Sequence, residues 1–155
     1  MIKEFWILVK MLFCSKPTDF SELVYYKMKY FPFPGYSAMT WCGRLIYKES
    51  VSRNIITWTH ENIHLAQAKA NHSSWLSFYL SYIWTWLSGF IFLGWRGAYL
   101  TIPEEVEAYA NEDKPEYWKV YPWNKLKDKY SWSLKERVRL YKEHKTEWKI
   151  WIKSL

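Results

Sequence analysis

The central part of the chain, residues 70–95, contains no Asp, Glu, Lys or Arg. It reads ANHSSWLSFYLSYIWTWLSGFIFLGW and is long enough to be a transmembrane helix. Small, weakly polar residues recur in it every three or four positions, which aligns them in one stripe along a helix. Such a stripe lets a second helix approach closely. Its members are Ser74, Ser77, Ser81, Thr85 and Ser88.

The rest of this predicted helix is bulky and apolar, so it faces either a protein core or lipid. Gly89 and Gly94 argue against an uninterrupted span, because glycine destabilises a helix interior. Both interpretations stay open on the sequence, and the core helix is the favoured one.

The composition allows one domain with a sizeable core. Half of the 155 residues are hydrophobic, and there are 12 Trp, 13 Tyr and 8 Phe. Aromatic rings bury large apolar areas, and this is not the composition of a disordered chain. We expect a single domain over residues 1–125 and a basic amphipathic helix over 126–155 that packs on the domain or extends it.

The net charge of +7 is concentrated near the C-terminus. Residues 124–155 hold ten Lys and Arg against four Asp and Glu, so six of the seven net charges lie there. A basic tail of this kind favours an anionic membrane surface or an acidic partner. The competing interpretation is a solvated helix face, and nucleic acid is not an expected partner.

The N-terminus, MIKEFWILVKMLFC, has only a superficial likeness to a signal peptide. Lys10 interrupts its apolar run, Glu4 lies in its basic region, and no small-residue cleavage site follows. We predict an amphipathic helix that packs on the domain or on a membrane. The expected location is the cytoplasm, with a position at or in the inner membrane as the alternative. Cys14 and Cys42 are interpreted as buried or idle.

Local patterns predict a mainly α (α+β) fold with a small β-hairpin. The segment AMTWCGRLIYKE favours two short strands, or one bent strand, around Gly43. A long helix follows from Ile55, with Ser52 or Asn54 as its N-cap. Another helix is expected to start at Thr101-Ile102-Pro103-Glu104, which has the spacing of a capping box.

The long helix contains the motif H-E-x-x-H as His60, Glu61 and His64. Residues four apart lie one turn apart on one helix face, so two imidazoles can hold one metal ion. Glu61 lies to the side of that pair, where it can take a proton from a water molecule that zinc acidifies. The motif therefore predicts a Zn2+ site with His60 and His64 as ligands and Glu61 as general base. The alternative is an ordinary helix with two unrelated histidines.

A catalytic zinc site needs a third protein ligand. Four glutamates lie about 40 residues downstream, in PEEVEAYANE: Glu104, Glu105, Glu107 and Glu112. Glu104 occupies the predicted capping position, whereas Glu105 shares a predicted buried face with Ala108, and a buried carboxylate needs a partner such as a metal. Glu105 is therefore the predicted third ligand. We expect Glu107 to support the site and Glu112 to meet a positive partner or a helix N-terminus.

These residues resemble the gluzincin class of zinc metallopeptidases. The element from Glu105 to Tyr109 is similar to the E-x-E-A-D element of the CAAX-prenyl-protease and HtpX-like peptidases. The first Glu of that element binds zinc, and this chain has Tyr109 where that family has Asp.

A closer resemblance is to a family of small bacterial HExxH proteins. Its pattern runs H-E-x-I-H-x-x-Q, then an aromatic-rich helix, then A-Y-x-x-I-x-x-E-x-E-A-Y-x-N-E. This chain follows that pattern within residues 30–125, from His60 through Gln67 to Glu112. Its aromatic helix is uncharged, whereas those relatives carry acidic and basic residues there. The resemblance implies a minimal gluzincin-like zinc metallopeptidase that acts on a peptide or protein.

Two other classes of function stay open. One is a non-catalytic, zinc-stabilised protein that binds a membrane or partner through its basic tail. The other is a membrane-associated helical protein in which the histidines are incidental. His72 and His144 lack partners at ligand spacing, so we expect them in surface or capping positions.

Overall fold

The computed structural model describes residues 1–14, 24–32, 35–51, 54–70, 75–119 and 127–155. Over these residues the chain is mainly helical and has a small three-stranded sheet, which confirms the predicted class. The helices are α1 (Ile2–Cys14), α2 (Ile55–Ala70), α3 (Trp75–Leu100), α4 (Pro103–Asn111), α5 (Lys127–Tyr130), α6 (Leu134–His144) and α7 (Trp148–Lys153). The strands are β1 (Val24–Met28), β2 (Ala38–Trp41) and β3 (Arg44–Lys48).

The predicted pair of short strands is confirmed. β2 and β3 pair antiparallel, and the two residues between them, Cys42 and Gly43, have φ angles of 46° and 78°. Two consecutive positive φ angles are typical of the tight turns that match the twist of a hairpin. β1, which the sequence did not predict, pairs in parallel with β3. The strand order β1-β3-β2 places β2 at an edge of the described sheet.

The predicted N-terminal helix is present as α1, and it packs on the sheet. Glu4 accepts hydrogen bonds of 2.9 Å from the backbone N–H groups of Lys29 and Tyr30. The indole of Trp41 donates to the carbonyl oxygen of Leu8, a buried residue. The rest of the helix surface keeps several apolar side chains exposed: Ile2, Phe5, Trp6 and Leu12.

α2 is the central helix of the fold. It begins after Asn54, whose side-chain oxygen accepts a 2.7 Å hydrogen bond from the N–H of Thr57 in the geometry of an N-cap. Ser52, the other predicted N-cap, lies outside the described residues. Every residue from Thr59 to Ala68 is buried, because α2 packs against both β2 and α4.

α3 folds back on itself at Gly94. This glycine has a φ of 65° and a ψ of −179°, a combination that is accessible essentially only to glycine. The rings of Trp86 and Trp95 lie 4.7 Å apart, whereas residues nine apart in a straight helix are separated by about 13 Å. We call residues 75–100 the α3 hairpin, with a long arm (75–93) and a short arm (95–100). Of the two glycines expected to interrupt the helix, Gly94 does so and Gly89 does not.

Arg137 of α6 connects the two arms of the α3 hairpin. Its guanidinium donates to the carbonyl oxygens of Thr85 in the long arm and Ala98 in the short arm, at 3.0 and 3.4 Å. It also donates to the hydroxyl groups of Ser88 and Thr101. Thr85 and Ser88 belong to the predicted stripe of small residues. A second helix, α6, therefore approaches the α3 hairpin at this part of the stripe.

The predicted capping box at Thr101–Glu104 was wrong. α4 begins at Pro103, its N-cap is Ile102, and no side chain caps it. The hydroxyl of Thr101 donates instead to the carbonyl oxygen of Gly97 at 2.9 Å, because the chain passes directly from the end of α3 into α4.

The prediction of one continuous C-terminal helix was also wrong. A turn at residues 145–147 separates α6 from α7. It lets Trp148 and Ile152 pack into one apolar cluster with Val106 and Ala110 of α4. The indole of Trp148 donates to the carbonyl oxygen of Leu100 at 3.0 Å, so α7 packs against the end of α3. The predicted boundary between residues 125 and 126 lies outside the described residues.

Candidate metal centre

Two histidines of α2 and one glutamate of α4 converge in the interior of the protein. His60 Nε2 lies 3.2 Å from His64 Nε2. Glu105 Oε2 lies 3.4 Å from His60 Nε2, and Glu105 Oε1 lies 3.2 Å from His64 Nε2. All three side chains are buried, and together they form a group that could hold a metal ion. The fold thus brings together the three residues that the sequence predicted as ligands.

The spacing of these atoms suits a tetrahedral ion. Zinc binds imidazole nitrogen and carboxylate oxygen at about 2.0–2.2 Å, so neighbouring ligand atoms lie about 3.3–3.6 Å apart. The two imidazole nitrogens lie 3.2 Å apart, and each lies near a different oxygen of Glu105, at 3.4 Å for His60 and 3.2 Å for His64, so all three contacts are close to this range. Glu105 Oε2 is buried, and among the described residues it has only the 3.4 Å ion pair with His60 and no contact with hydrogen-bond geometry. A cation between the three side chains would compensate for that missing bond.

A chain of hydrogen bonds orients His64. Its Nδ1 lies 2.7 Å from Gln67 Oε1, and Gln67 Nε2 donates to Glu107 at 2.9 Å. Tyr117 donates to the other carboxylate oxygen of Glu107. Because the amide oxygen accepts, the neutral imidazole carries its proton on Nδ1 and directs the Nε2 lone pair towards the ligand group. Glu107 therefore has the supporting position that was expected of it.

Glu112 orients His60 in a similar way. Its Oε2 lies 3.1 Å from His60 Nδ1, and its Oε1 lies 3.3 Å from Lys153 Nζ. The expected contact of Glu112 with a positive partner is thus present. Tyr109 packs its ring against that of His60, with the ring centroids 4.6 Å apart.

The packing of these groups shifts their proton affinities. Burial opposes the charged form of His60, but pairing with Glu105 and Glu112 outweighs burial and raises its pKa to about 10. Burial also opposes the charged form of His64, and the charge of Glu105 overcomes it, so the pKa of His64 is raised. Burial favours the neutral form of Glu105, but the charges of the two histidines lower its pKa below the usual range. A metal ion that binds here must therefore displace protons from the histidines.

Glu61 lies outside the group of ligand atoms. It is buried, and its carboxylate accepts a 2.8 Å hydrogen bond from the hydroxyl of Thr40 on β2. The predicted general base thus lies between the ligand group and the edge strand. Thr40 restricts the orientation of its carboxylate.

A cavity of about 500 Å3 lies beside Glu61, His64 and Glu105. Its walls are mostly apolar and aromatic, and they come from β2, the residues before it and the α3 hairpin. Among the lining residues are Tyr36, Met39, Trp41, Phe78, Tyr82 and Tyr99. The hydroxyl of Tyr82 donates to Glu105 Oε1 at 2.6 Å. A cavity of this size and character can receive a large apolar group next to the ligand atoms.

Sequence reasoning missed Thr40 and Tyr82, because neither belongs to a chemical motif. One signal for Tyr82 was available: a tyrosine in a buried helix needs a hydrogen-bond partner for its hydroxyl. His144 lies outside the ligand group and stacks on Trp151, with the ring centroids 4.3 Å apart. His72 lies outside the described residues.

No protein-family model, curated protein or solved structure matches this chain. The site is therefore interpreted from its own chemistry. That chemistry consists of two oriented imidazoles, one buried carboxylate between them, and a second carboxylate beside an apolar cavity.

Proposed function

We propose that this chain is a zinc metallopeptidase of a minimal gluzincin type. The observation that supports it is the group formed by His60, His64 and Glu105, whose ligand atoms lie close enough together to hold one metal ion, with Glu61 beside them and outside the ligand set. Three protein ligands leave the fourth position of a tetrahedral ion for water, which is the arrangement of catalytic zinc sites. Two imidazoles and one carboxylate favour zinc over magnesium or calcium, which prefer oxygen ligands.

Each residue around the ligand group has its own role in this mechanism. A zinc ion held by His60, His64 and Glu105 would supply Lewis acidity, which would acidify a water molecule and polarise a peptide carbonyl. Glu61 takes the proton from the water and passes it to the leaving amine. Thr40 keeps the carboxylate of Glu61 in position, while Gln67 and Glu112 keep the two imidazoles oriented.

A peptide is the substrate class that the surroundings favour. β2 lies at an edge of the described sheet, and all four of its residues, Ala38 to Trp41, line the cavity. The edge of a strand can hydrogen-bond the backbone of an extended peptide. The apolar cavity beside it can receive a large side chain of that peptide.

Replacing Glu61 by Gln tests the proposal, because this change leaves the three ligands intact. We expect the wild-type protein from zinc-supplemented medium to hold one zinc per chain by elemental mass spectrometry and to cleave members of a peptide library. Glu61→Gln should retain the zinc and lose at least about a hundredfold in the rate of hydrolysis. A zinc-loaded wild-type protein that cleaves no peptide of the library would contradict the proposal.

A non-catalytic, zinc-stabilised protein is the second candidate. It is favoured by the burial of all three ligands and by their position on two helices, since an ion held there would cross-link α2 to α4. In that case Glu61→Gln leaves the biological activity unchanged, and a chelator acts only by destabilising the fold.

A further inference from the structure

A continuous apolar stripe runs along the outer face of the α3 hairpin. Its members recur every three or four residues, and 49–82% of each is exposed. This spacing keeps them on one face of the long arm, over a length of about 22 Å. The members are Leu76, Leu80, Trp84, Leu87 and Ile91.

The apolar surface continues over the tip of the hairpin. Phe92 and Trp95 flank Gly94 and are 56% and 66% exposed. The helix that contains the stripe is long and apolar enough to cross a membrane, by length and composition. Soluble monomers rarely leave an apolar surface of this extent in water. We therefore expect another molecule or a membrane to cover the stripe.

The charges near the hairpin indicate the chemistry of that cover. Arg96 is exposed directly after the tip. An apolar stripe and tip with exposed tryptophans is typical of a segment that lies in a bilayer, and an arginine next to the tip favours anionic headgroups.

α1 adds a second apolar surface next to the hairpin. Trp41 contacts both elements: its indole donates to Leu8 of α1, and its ring stacks on Tyr79 of α3, with the centroids 5.1 Å apart. α1 exposes Phe5 by 50% and Trp6 by 58%. A bilayer can cover both surfaces at once, whereas a single partner helix covers one.

We propose that the α3 hairpin inserts its apolar stripe into an anionic lipid bilayer, with α1 and Arg96 at the headgroups. The proposal does not depend on peptidase activity. Because Trp95 also lines the cavity beside the metal centre, insertion brings the bilayer next to that cavity.

Flotation with lipid vesicles tests the proposal. The full-length protein in mild detergent is mixed with vesicles of phosphatidylcholine, alone or with phosphatidylglycerol. The detergent is then removed and the sample is centrifuged in a density gradient. We expect the protein to float with both kinds of vesicle and in a larger fraction with phosphatidylglycerol. It should stay bound in about 1 M salt, because an inserted apolar stripe is not screened as surface charges are.

The variant Trp84→Glu/Ile91→Glu changes the two most exposed members of the stripe, at 75% and 82%, so the fold should persist. Circular dichroism checks that the helices are retained. We expect the floating fraction to fall at least about tenfold, because buried carboxylates are costly in the bilayer. Ile150→Glu on α7 is the matched control. Ile150 is also 75% exposed but lies outside the stripe, so this variant should float like the wild type.

Wild-type protein that stays at the bottom of the gradient with both kinds of vesicle overturns the proposal. So does a detergent-free dimer that the double variant dissociates, because a second copy of the chain then covers the stripe. Binding that high salt reverses and that the double variant retains also contradicts it, since the basic residues alone would then make the contact. Equal flotation with both lipid mixtures overturns the preference for anionic lipid.

Discussion

At the scale of single residues, a comparison of Glu112 with Asp113 tests what sets the affinity for zinc. The affinity depends either on the orientation of His60 or only on the negative charge nearby. Both carboxylates lie near Lys153 Nζ, at 3.3 and 3.7 Å, but only Glu112 contacts His60. We expect Glu112→Gln to lower the affinity for zinc about tenfold or more, because a carboxylate behind an imidazole fixes the ring and raises its basicity. Competition with a chromophoric chelator measures the affinity.

Asp113→Asn is the matched control for this prediction. It removes one negative charge beside Lys153 and leaves His60 untouched, so we expect an affinity within about twofold of the wild type. Equal losses in the two variants would show that net charge, and not the orientation of His60, sets the affinity.

At the scale of elements, Arg137 should determine the stability of the α3 hairpin. It is buried, and it donates to both arms. We expect Arg137→Ala to lower the free energy of unfolding by more than about 2 kcal/mol, because the change removes charge-assisted hydrogen bonds and leaves a cavity between the arms. Chemical unfolding in mild detergent, followed by circular dichroism, measures this loss.

The control for Arg137 lies on the same helix. The side chain of Arg139 is 63% exposed and pairs with Glu143 four residues later. Exposed pairs of this kind contribute little, so Arg139→Ala should change the free energy of unfolding by less than about 0.5 kcal/mol. If both variants lose the same amount, the hydrogen bonds of Arg137 do not hold the hairpin together.

At the scale of the whole molecule, a metal ion held by His60, His64 and Glu105 would link α2 to α4, and its removal would weaken the fold. With free zinc at a thousandfold excess over the dissociation constant, binding stabilises the folded state by about 4 kcal/mol. We therefore expect a chelator to lower the melting temperature of the zinc-loaded protein by about 10 °C. Glu105→Gln, which lacks one ligand, should show a much smaller shift. A wild-type melting temperature that the chelator leaves unchanged would argue against a bound ion.

The stability of the metal-free protein should fall as the pH rises. The pKa of His60 is raised from 6.5 to about 10 in the folded state, so the folded protein holds a proton that the unfolded chain releases above pH 6.5. The stabilisation is fully present below pH 6.5 and declines towards pH 10. Glu105 and Glu112, whose pKa values are lowered, stay ionised in this window and add no slope.

Melting temperatures measured from pH 6.5 to pH 10 in the presence of a chelator check this prediction. The free energy of unfolding derived from these melting temperatures should fall with a slope that approaches about 1.4 kcal/mol per pH unit for each histidine that loses its proton. His60→Gln should reduce the slope, and His144→Gln, outside the ligand group, should retain it. A profile without a slope over this range would mean that the two histidines are already neutral in the metal-free fold.

The local parts of the fold and site could be predicted from the sequence. His60 and His64 are four residues apart on one helix, so helical periodicity alone places both imidazoles on one face. The β2–β3 hairpin depends in the same way on two residues at its turn. Glu105 was selected partly through a capping box that does not form, but the buried face that it shares with Ala108 was identified correctly.

Contacts between distant segments decided the rest. Thr40, Tyr82 and Arg137 act on residues more than 20 positions away, and no short pattern encodes those pairs. Outside its stripe of small residues the sequence of α3 is bulky and apolar, and only packing shows that Phe78 is buried while Leu80 is exposed. Helix and turn preferences act over a few residues. The sequence by itself therefore determined that His60 and His64 lie on the same face of one helix. Burial of apolar area acts between segments far apart in the chain, so only the tertiary structure decided which faces meet and which stay open.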